Sequence, residues 1–128
     1  MSDGPVFLDV ELVLETHDYV LGLDGGMAGI GDRGLIESAV ASAQNTWLYG
    51  RGDNFDIAAA YAFHLAESQA FNDGNKRTAI TCALTFLELN GRYHHRPDPK
   101  EFEAAMIAIA KKELDKRGLA QLMRERCS

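Results

Sequence analysis

One segment in the middle of the chain constrains the fold more than any other feature. Residues 57–66 read Ile-Ala-Ala-Ala-Tyr-Ala-Phe-His-Leu-Ala, so apolar side chains point in nearly every direction around a helix. A helix of this kind is stable only when other elements cover most of its circumference. The segment therefore predicts a central helix, and the preceding Asp56 is its predicted N-cap.

Amphipathic patterns on both sides of this segment predict the helices that pack around it. The patterns cover residues 8–21, 33–44, 77–89, 99–114 and 119–126. Asp9, Asp32 and Asp98 stand where N-caps belong, and Asn90-Gly91 is typical of a helix end. Convincing strand pairs are absent from the sequence pattern. The expected fold is all-α, a compact bundle of about six helices that forms one domain over residues 1–128.

Two segments between the predicted helices have no helical pattern. Residues 22–31 contain five glycines and predict a plain flexible connection, with a phosphate-binding role as the weaker alternative. Residues 45–55 are irregular. We expect the apolar side chains there to pin the segment to the body of the protein. These are Trp47, Leu48, Tyr49 and Phe55.

Composition excludes several classes of protein. The chain has 128 residues and a net charge of −6, and this acidic balance argues against direct binding to nucleic acid. Cys82 and Cys127 are too few for a disulfide framework or a zinc cluster. Neither a secretory leader pattern nor an apolar run of membrane-spanning length is evident. The expectation is a cytoplasmic protein without membrane contact.

The most informative motif is residues 69–77, Gln-Ala-Phe-Asn-Asp-Gly-Asn-Lys-Arg, between two buried helices. The first N–H groups of the following helix form an anion site, and Gly74 lets a phosphate approach the backbone. Asn75, Lys76 and Arg77 offer phosphate donors. Asp73 is a hard oxygen ligand suited to Mg²⁺. The loop predicts a nucleotide phosphate site with a divalent metal.

Each of these residues also has a simpler interpretation. Asp73 is of a type that commonly caps a helix, and Gly74 is a common turn residue. Lys76 and Arg77 are the kind of charges that a solvated helix face carries. Their combination at this spacing favours the phosphate site over the separate explanations.

The motif resembles the Fic signature His-x-Phe-x-(Asp/Glu)-Gly-Asn-(Gly/Lys)-Arg. Phe71, Asp73, Gly74, Asn75 and Arg77 match it position by position. Lys76, where many Fic proteins have glycine, is similar to the Doc (death-on-curing) branch of toxins. The resemblance extends over roughly residues 8–112 and implies the compact all-helical Fic/Doc fold.

The resemblance also implies an activity. Fic proteins generally transfer AMP from ATP to a hydroxyl group, whereas Doc-type members transfer the γ-phosphate to a threonine of elongation factor Tu. Carried over, Asp73 binds Mg²⁺, and Gly74, Asn75, Lys76 and Arg77 hold the phosphates of ATP. A Phd-like antitoxin segment is the implied partner, and it requires an exposed apolar groove.

Gln69 departs from the signature, which has a general-base histidine at this position. An amide has no useful basicity near pH 7, so we expect nucleotide binding to be retained and transfer to be largely lost. Two explanations are open, a chain disarmed so that a host survives its expression and a naturally diverged member. The intact remainder of the motif favours the first.

Three functions stay open at this point: an impaired Doc-like kinase, a Fic-type AMP transferase, and a non-catalytic binding protein of a toxin–antitoxin complex.

His64 lies about 140° around a helix from position 69 and is predicted to pack within the bundle rather than to replace the base. His94 and His95 are predicted to be exposed polar residues, with metal binding as the weaker alternative.

Overall fold

The fold is described from a computed structural model over residues 4–50, 52–92 and 97–127. These ranges contain six α-helices and one short 3₁₀ helix, which confirms the all-α prediction. The α-helices are α1 (Val10–Asp24), α2 (Arg33–Leu48), α3 (Asn54–Ser68), α4 (Asn75–Leu89), α5 (Glu103–Ala110) and α6 (Lys116–Cys127), and the 3₁₀ helix is Pro99–Phe102.

The predicted central helix is α3. It packs against α2, α4 and α6, while α1 and α5 both cover α4. Along α3 the run from Ile57 to Ala62 is buried, and so is Leu65. Most of the buried hydrophobic residues of the described ranges form one cluster that extends from Leu8 to Cys127.

Local capping rules explain most helix starts. The carboxylates of Asp9 and Asp32 accept N–H groups of the first turns of α1 and α2, as predicted. Asp98 forms a capping box with Glu101, although the turn that it starts is 3₁₀ before α5 begins. Asn90 and Gly91 end α4, and Gly91 has a φ of 69°.

The predicted N-cap of the central helix was wrong. Asp53 caps α3, and Asp56 is the third helical residue, whose side chain accepts the Asp53 N–H in a reciprocal capping box. The two acids, three residues apart, accept the backbone N–H groups of Asp53, Phe55 and Asp56, which is why the helix starts about one turn earlier than predicted.

The interpretation of residues 45–55 was wrong in two respects. Helix α2 continues to Leu48, four residues beyond its predicted end at position 44. Leu48 and Tyr49 are each 69% exposed and Trp47 is 41% exposed, so of the four apolar side chains only Phe55 is buried. The side chains of Leu48 and Tyr49 therefore do not pin this segment to the body of the protein.

Candidate active site

Residues 69–77 lie where α3 ends and α4 begins. Helix α3 ends at Ser68, and Gln69 follows in the left-handed region with φ 48° and ψ 42°. This sharp turn redirects the chain into the loop that leads to α4. The Gln69 side chain is exposed and lines a cavity.

The glycine-rich segment pairs with this loop. The Gly31 N–H donates to the Ala70 carbonyl (2.7 Å), and the Asn72 N–H donates to the Gly29 carbonyl (3.1 Å). Gly29 has a φ of 118°, and a Cβ at this position would collide with the Asn72 amide. The prediction of a plain connection was therefore wrong, because the segment forms one wall of the motif loop.

A buried histidine supports the loop from below. His17 on α1 stacks on the Phe71 ring at a centroid distance of 3.8 Å, and both side chains are buried. Its Nε2–H donates to the Asp73 carbonyl (2.8 Å), since a carbonyl oxygen can only accept. His17 was missed from the sequence, although its spacing with Val13 and Val20 places it on the buried face of α1.

The Asn75 side chain fixes the shape of the loop. Its Oδ1 accepts the Phe71 N–H (3.0 Å), and its Nδ2 donates to the Phe71 carbonyl (2.9 Å). Both ends of the amide are thus bonded to one backbone unit. The Nδ2 group has a second N–H, so the predicted donation from this amide to a phosphate stays compatible with both bonds.

Replacing Asn75 by Ala should destabilise the fold by about 2 kcal/mol, because the buried Phe71 backbone loses two partners. Urea denaturation followed by circular dichroism measures the change. The matched control is Asn72→Ala in the same loop, where one exposed bond to the Ala28 carbonyl is lost. Equal destabilisation in the two variants would contradict the bracing role of Asn75.

The start of α4 is open to a ligand. Gly74 is the N-cap residue with φ 76°, and within the described residues no side chain caps this helix. The first intrahelical bond runs from the Thr78 N–H to the Gly74 carbonyl (3.0 Å), so the N–H groups of residues 75–77 precede it. Such a terminus favours an anion through its free donors and its dipole.

Asp73 does not cap this helix, which removes the simpler interpretation of its role. Its Oδ1 accepts the Gly74 N–H (2.9 Å), and its Oδ2 accepts the Met27 N–H (3.1 Å) from the glycine-rich segment. Each oxygen retains a further lone pair, and the residue is exposed at the cavity. The carboxylate is held in place and still able to bind a cation.

The two cations of the motif differ in their surroundings. The Arg77 side chain is only 19% exposed, and its guanidinium lies 3.1 Å from an oxygen of Asp24, the last residue of α1. Lys76 is exposed. Because one carboxylate occupies only part of the planar fork, Arg77 keeps other N–H donors for a phosphate.

All the predicted site residues meet in one cavity of about 670 Å³. The motif wall contains Gln69, Asp73, Gly74, Asn75, Lys76 and Arg77. The other wall comes from α5 and contributes Met106, Ile109 and Ala110. A polar wall facing an apolar wall suits a ligand with a charged part and a flat apolar part, such as a nucleotide.

Comparison with known proteins assigns this arrangement to a family. The sequence model described as "Fic/DOC family" matches residues 7–87, which include the whole motif.

The chain belongs to the Fic/DOC family.

The curated relatives carry Doc names, as the lysine in the motif predicted. "Protein kinase doc" of Escherichia phage P1 is 37% identical over 82 residues, which cover 63% of this chain and 65% of the relative. "Toxin Doc" of Mycolicibacterium smegmatis (strain ATCC 700084 / mc(2)155) is 42% identical over 88 residues, 66% of this chain and 65% of the relative. The match thus spans 65% of the length of each relative.

His64, considered from the sequence as a replacement base, does not line the cavity of the motif. His64 lines a different cavity of about 530 Å³, where the Lys116 ammonium donates to its Nε2 (3.0 Å). Burial lowers the pKa of His64, and the charge of Lys116 lowers it further. His64 is not positioned to replace the base at Gln69, as predicted.

Within the described residues, no group of three or more His, Cys, Asp or Glu side chains could hold a metal. A single carboxylate such as that of Asp73 is the kind of ligand that Mg²⁺ uses when it takes its remaining ligands from phosphate and water. His94 and His95, considered as metal ligands from the sequence, lie outside the described residues.

Proposed function

We propose that this chain is a Doc-like toxin of a toxin–antitoxin system. Its site would bind ATP with Mg²⁺ and transfer the γ-phosphate to a hydroxyl of a translation factor, elongation factor Tu. The observation that carries the proposal is the cavity that joins the open start of α4 to Asp73, Lys76 and Arg77. The names of the curated relatives, which include "kinase" and "toxin", support the same proposal.

In this proposal different residues bind the phosphates, the Mg²⁺ ion and the base of the nucleotide. The N–H groups at the start of α4, together with Lys76 and Arg77, hold the phosphates. Asp73 holds Mg²⁺, which neutralises phosphate charge when it is bound. The apolar side chains of Met106 and Ile109 on α5 cover the base of the nucleotide.

Gln69 would impair the transfer step. It occupies the turn at the mouth of the cavity, where the family signature has a histidine, and an amide accepts no proton near pH 7. This residue also supports a second candidate function, a binding protein of a toxin–antitoxin complex that does not catalyse transfer. Transfer of AMP in place of phosphate is the third candidate, and the two transfers differ in which phosphorus of ATP reaches the target.

The proposed partner is a Phd-like antitoxin segment, and its site would be an apolar groove beside the cavity. This groove of about 470 Å³ is lined by Ile80, Pro99, Met106 and Ile107 and reaches Lys76 and Arg77. An occupant would therefore cover part of the phosphate site.

The protein is proposed to act in the cytoplasm, without direct contact with nucleic acid or membrane. Within the described ranges, no helix has the length and apolarity required to cross a bilayer.

Binding of ATP with and without Mg²⁺ tests this proposal. Removing Mg²⁺ should weaken ATP binding to the original chain by about tenfold, or about 1.4 kcal/mol. Asp73→Ala should bind ATP weakly under both conditions, because the ligand for the ion is gone. Isothermal titration calorimetry measures both affinities.

The control is Asp18→Ala, which removes one exposed carboxylate from α1 outside the cavity lining. It should keep the full dependence on Mg²⁺. Equal affinity of Asp73→Ala and the original chain for ATP with Mg²⁺ would remove Asp73 as the metal ligand, and no binding of ATP to the original chain would reject the nucleotide site.

A further inference from the structure

Backbone strain marks a second residue of the candidate active site. Among the described residues, two that are not glycine have a positive φ, Gln69 at 48° and Lys112 at 62°. Both line the same 670 Å³ cavity. Such conformations are uncommon for residues with a Cβ, and they concentrate at functional sites.

The strain at Lys112 arises from the way α5 ends. The Lys112 N–H donates to the Ile109 carbonyl (3.0 Å), and the Glu113 N–H reaches back to the Ala108 carbonyl (2.8 Å). This turn requires a left-handed residue at position 112, and glycine is the usual choice. A lysine in this conformation carries a conformational cost that glycine would avoid. The backbone hydrogen bonds of the turn do not explain why a lysine stands there.

The Lys112 side chain reaches the rim of the cavity. Its Nζ lies 3.8 Å from an oxygen of Glu67, in the last turn of α3, and both residues line the cavity together with Gln69. The side chains are 83% and 43% exposed, so the pair is well solvated and weak. A phosphate group, with more charge and more acceptor oxygens, competes well for such a lysine.

We propose that Lys112 is a further phosphate-binding residue of this site, joining Lys76 and Arg77 from the α5 side. Glu67 holds its ammonium group at the rim until a nucleotide phosphate displaces the carboxylate. The proposal rests on the proposed nucleotide site. Lys112 lies beyond residues 7–87, so the family match does not assign it this role.

Substitutions at position 112 test the proposal through two measurements, ATP affinity and melting temperature, which should change in opposite directions. Lys112→Gly should weaken binding of ATP with Mg²⁺ by about threefold to tenfold, because a charged phosphate contact is lost. The same change should raise the melting temperature by about 2 to 5 °C, because it relieves the left-handed strain. A purely structural role for Lys112 would raise the melting temperature and leave the affinity unchanged, which would overturn the proposal.

Two further variants separate charge from backbone. Lys112→Asn tolerates the left-handed conformation and removes the charge, so its affinity should fall as for Lys112→Gly. Lys112→Arg should keep the affinity near that of the original chain. The matched control is Lys111→Asn, because this exposed neighbour carries the same charge but does not line the cavity, and its affinity should stay unchanged. Weakening by Lys111→Asn as large as that by Lys112→Asn would reduce the effect to general surface charge and reject the proposal.

Glu67→Gln tests the exchange of partners. It should strengthen ATP binding by about twofold to threefold, because the competing carboxylate is gone. In the Lys112→Gly background the same change should have a smaller effect, which a double-mutant cycle measures. Equal effects in the two backgrounds would overturn the exchange.

Arg77→Ala distinguishes failure of this proposal from failure of the proposed nucleotide site. If Arg77→Ala and Lys112→Gly both leave the ATP affinity unchanged, the nucleotide site itself is rejected. If Arg77→Ala weakens ATP binding and Lys112→Gly does not, only the role of Lys112 is rejected.

Discussion

Replacing Gln69 by His is expected to raise transfer of the γ-phosphate of ATP to the target by about 10² to 10⁴-fold. A neutral imidazole accepts the proton of the attacking hydroxyl near pH 7, and an amide does not. The backbone favours the change, because His is several-fold enriched at positive φ, where Gln69 stands at 48°. Label transfer from ATP to elongation factor Tu measures the rate, and growth arrest on expression measures the effect in cells.

The matched control is Gln69→Asn, which suits the left-handed turn equally well and supplies no base. It should stay as inactive as the original chain, so that activity in Gln69→His is due to the imidazole and not to a relaxed backbone. The rate of Gln69→His should rise with pH through the range near 6.5, where a histidine loses its proton. Transfer of α-label would identify an AMP transferase, and neither transfer nor growth arrest would leave only the non-catalytic binding protein.

The site residues were predictable because they are contiguous. The motif at residues 69–77 contains its acid, its glycine and its cations within nine positions, so local chemistry alone was enough to predict a phosphate loop. Likewise Asp9, Asp32 and Asp98 were recognisable as N-caps, since a cap bonds to N–H groups two or three residues away. Asp53 obeyed the same rule and was missed because Asp56 lies directly beside the apolar run.

The supports of the loop were not predictable in this way, because they come from distant parts of the chain. His17 reaches Asp73 from α1, and Gly29 and Gly31 pair with residues 70–72. Nothing in the local pattern of residues 22–31 distinguishes a segment that pairs with a loop from a free connection. The exposure of Leu48 and Tyr49 is a similar case, because their burial depends on whether a neighbour extends as far as the last turn of α2.

Arg77→Ala is expected to weaken binding of ATP with Mg²⁺ by about tenfold to a hundredfold, because a planar donor that suits two phosphate oxygens is lost. The loss has a second cause in Asp24, whose carboxylate lies 3.1 Å from the guanidinium and would remain beside position 77 without its cation. Arg77→Lys keeps the charge without the fork and should recover only part of the affinity. Calorimetric titration with ATP measures all three proteins.

The double variant Arg77→Ala/Asp24→Asn distinguishes the two causes of the weaker ATP binding. Removing the carboxylate should restore part of the affinity, since the phosphates no longer face an uncompensated negative charge. Arg33→Ala is the matched control, because this arginine is also ion-paired, to Glu11 at 2.6 Å, but lies outside the cavity lining. It should bind ATP as the original chain does. A double variant as weak as Arg77→Ala would limit Asp24 to orienting the arginine, and full affinity in Arg77→Ala would exclude Arg77 from the phosphate site.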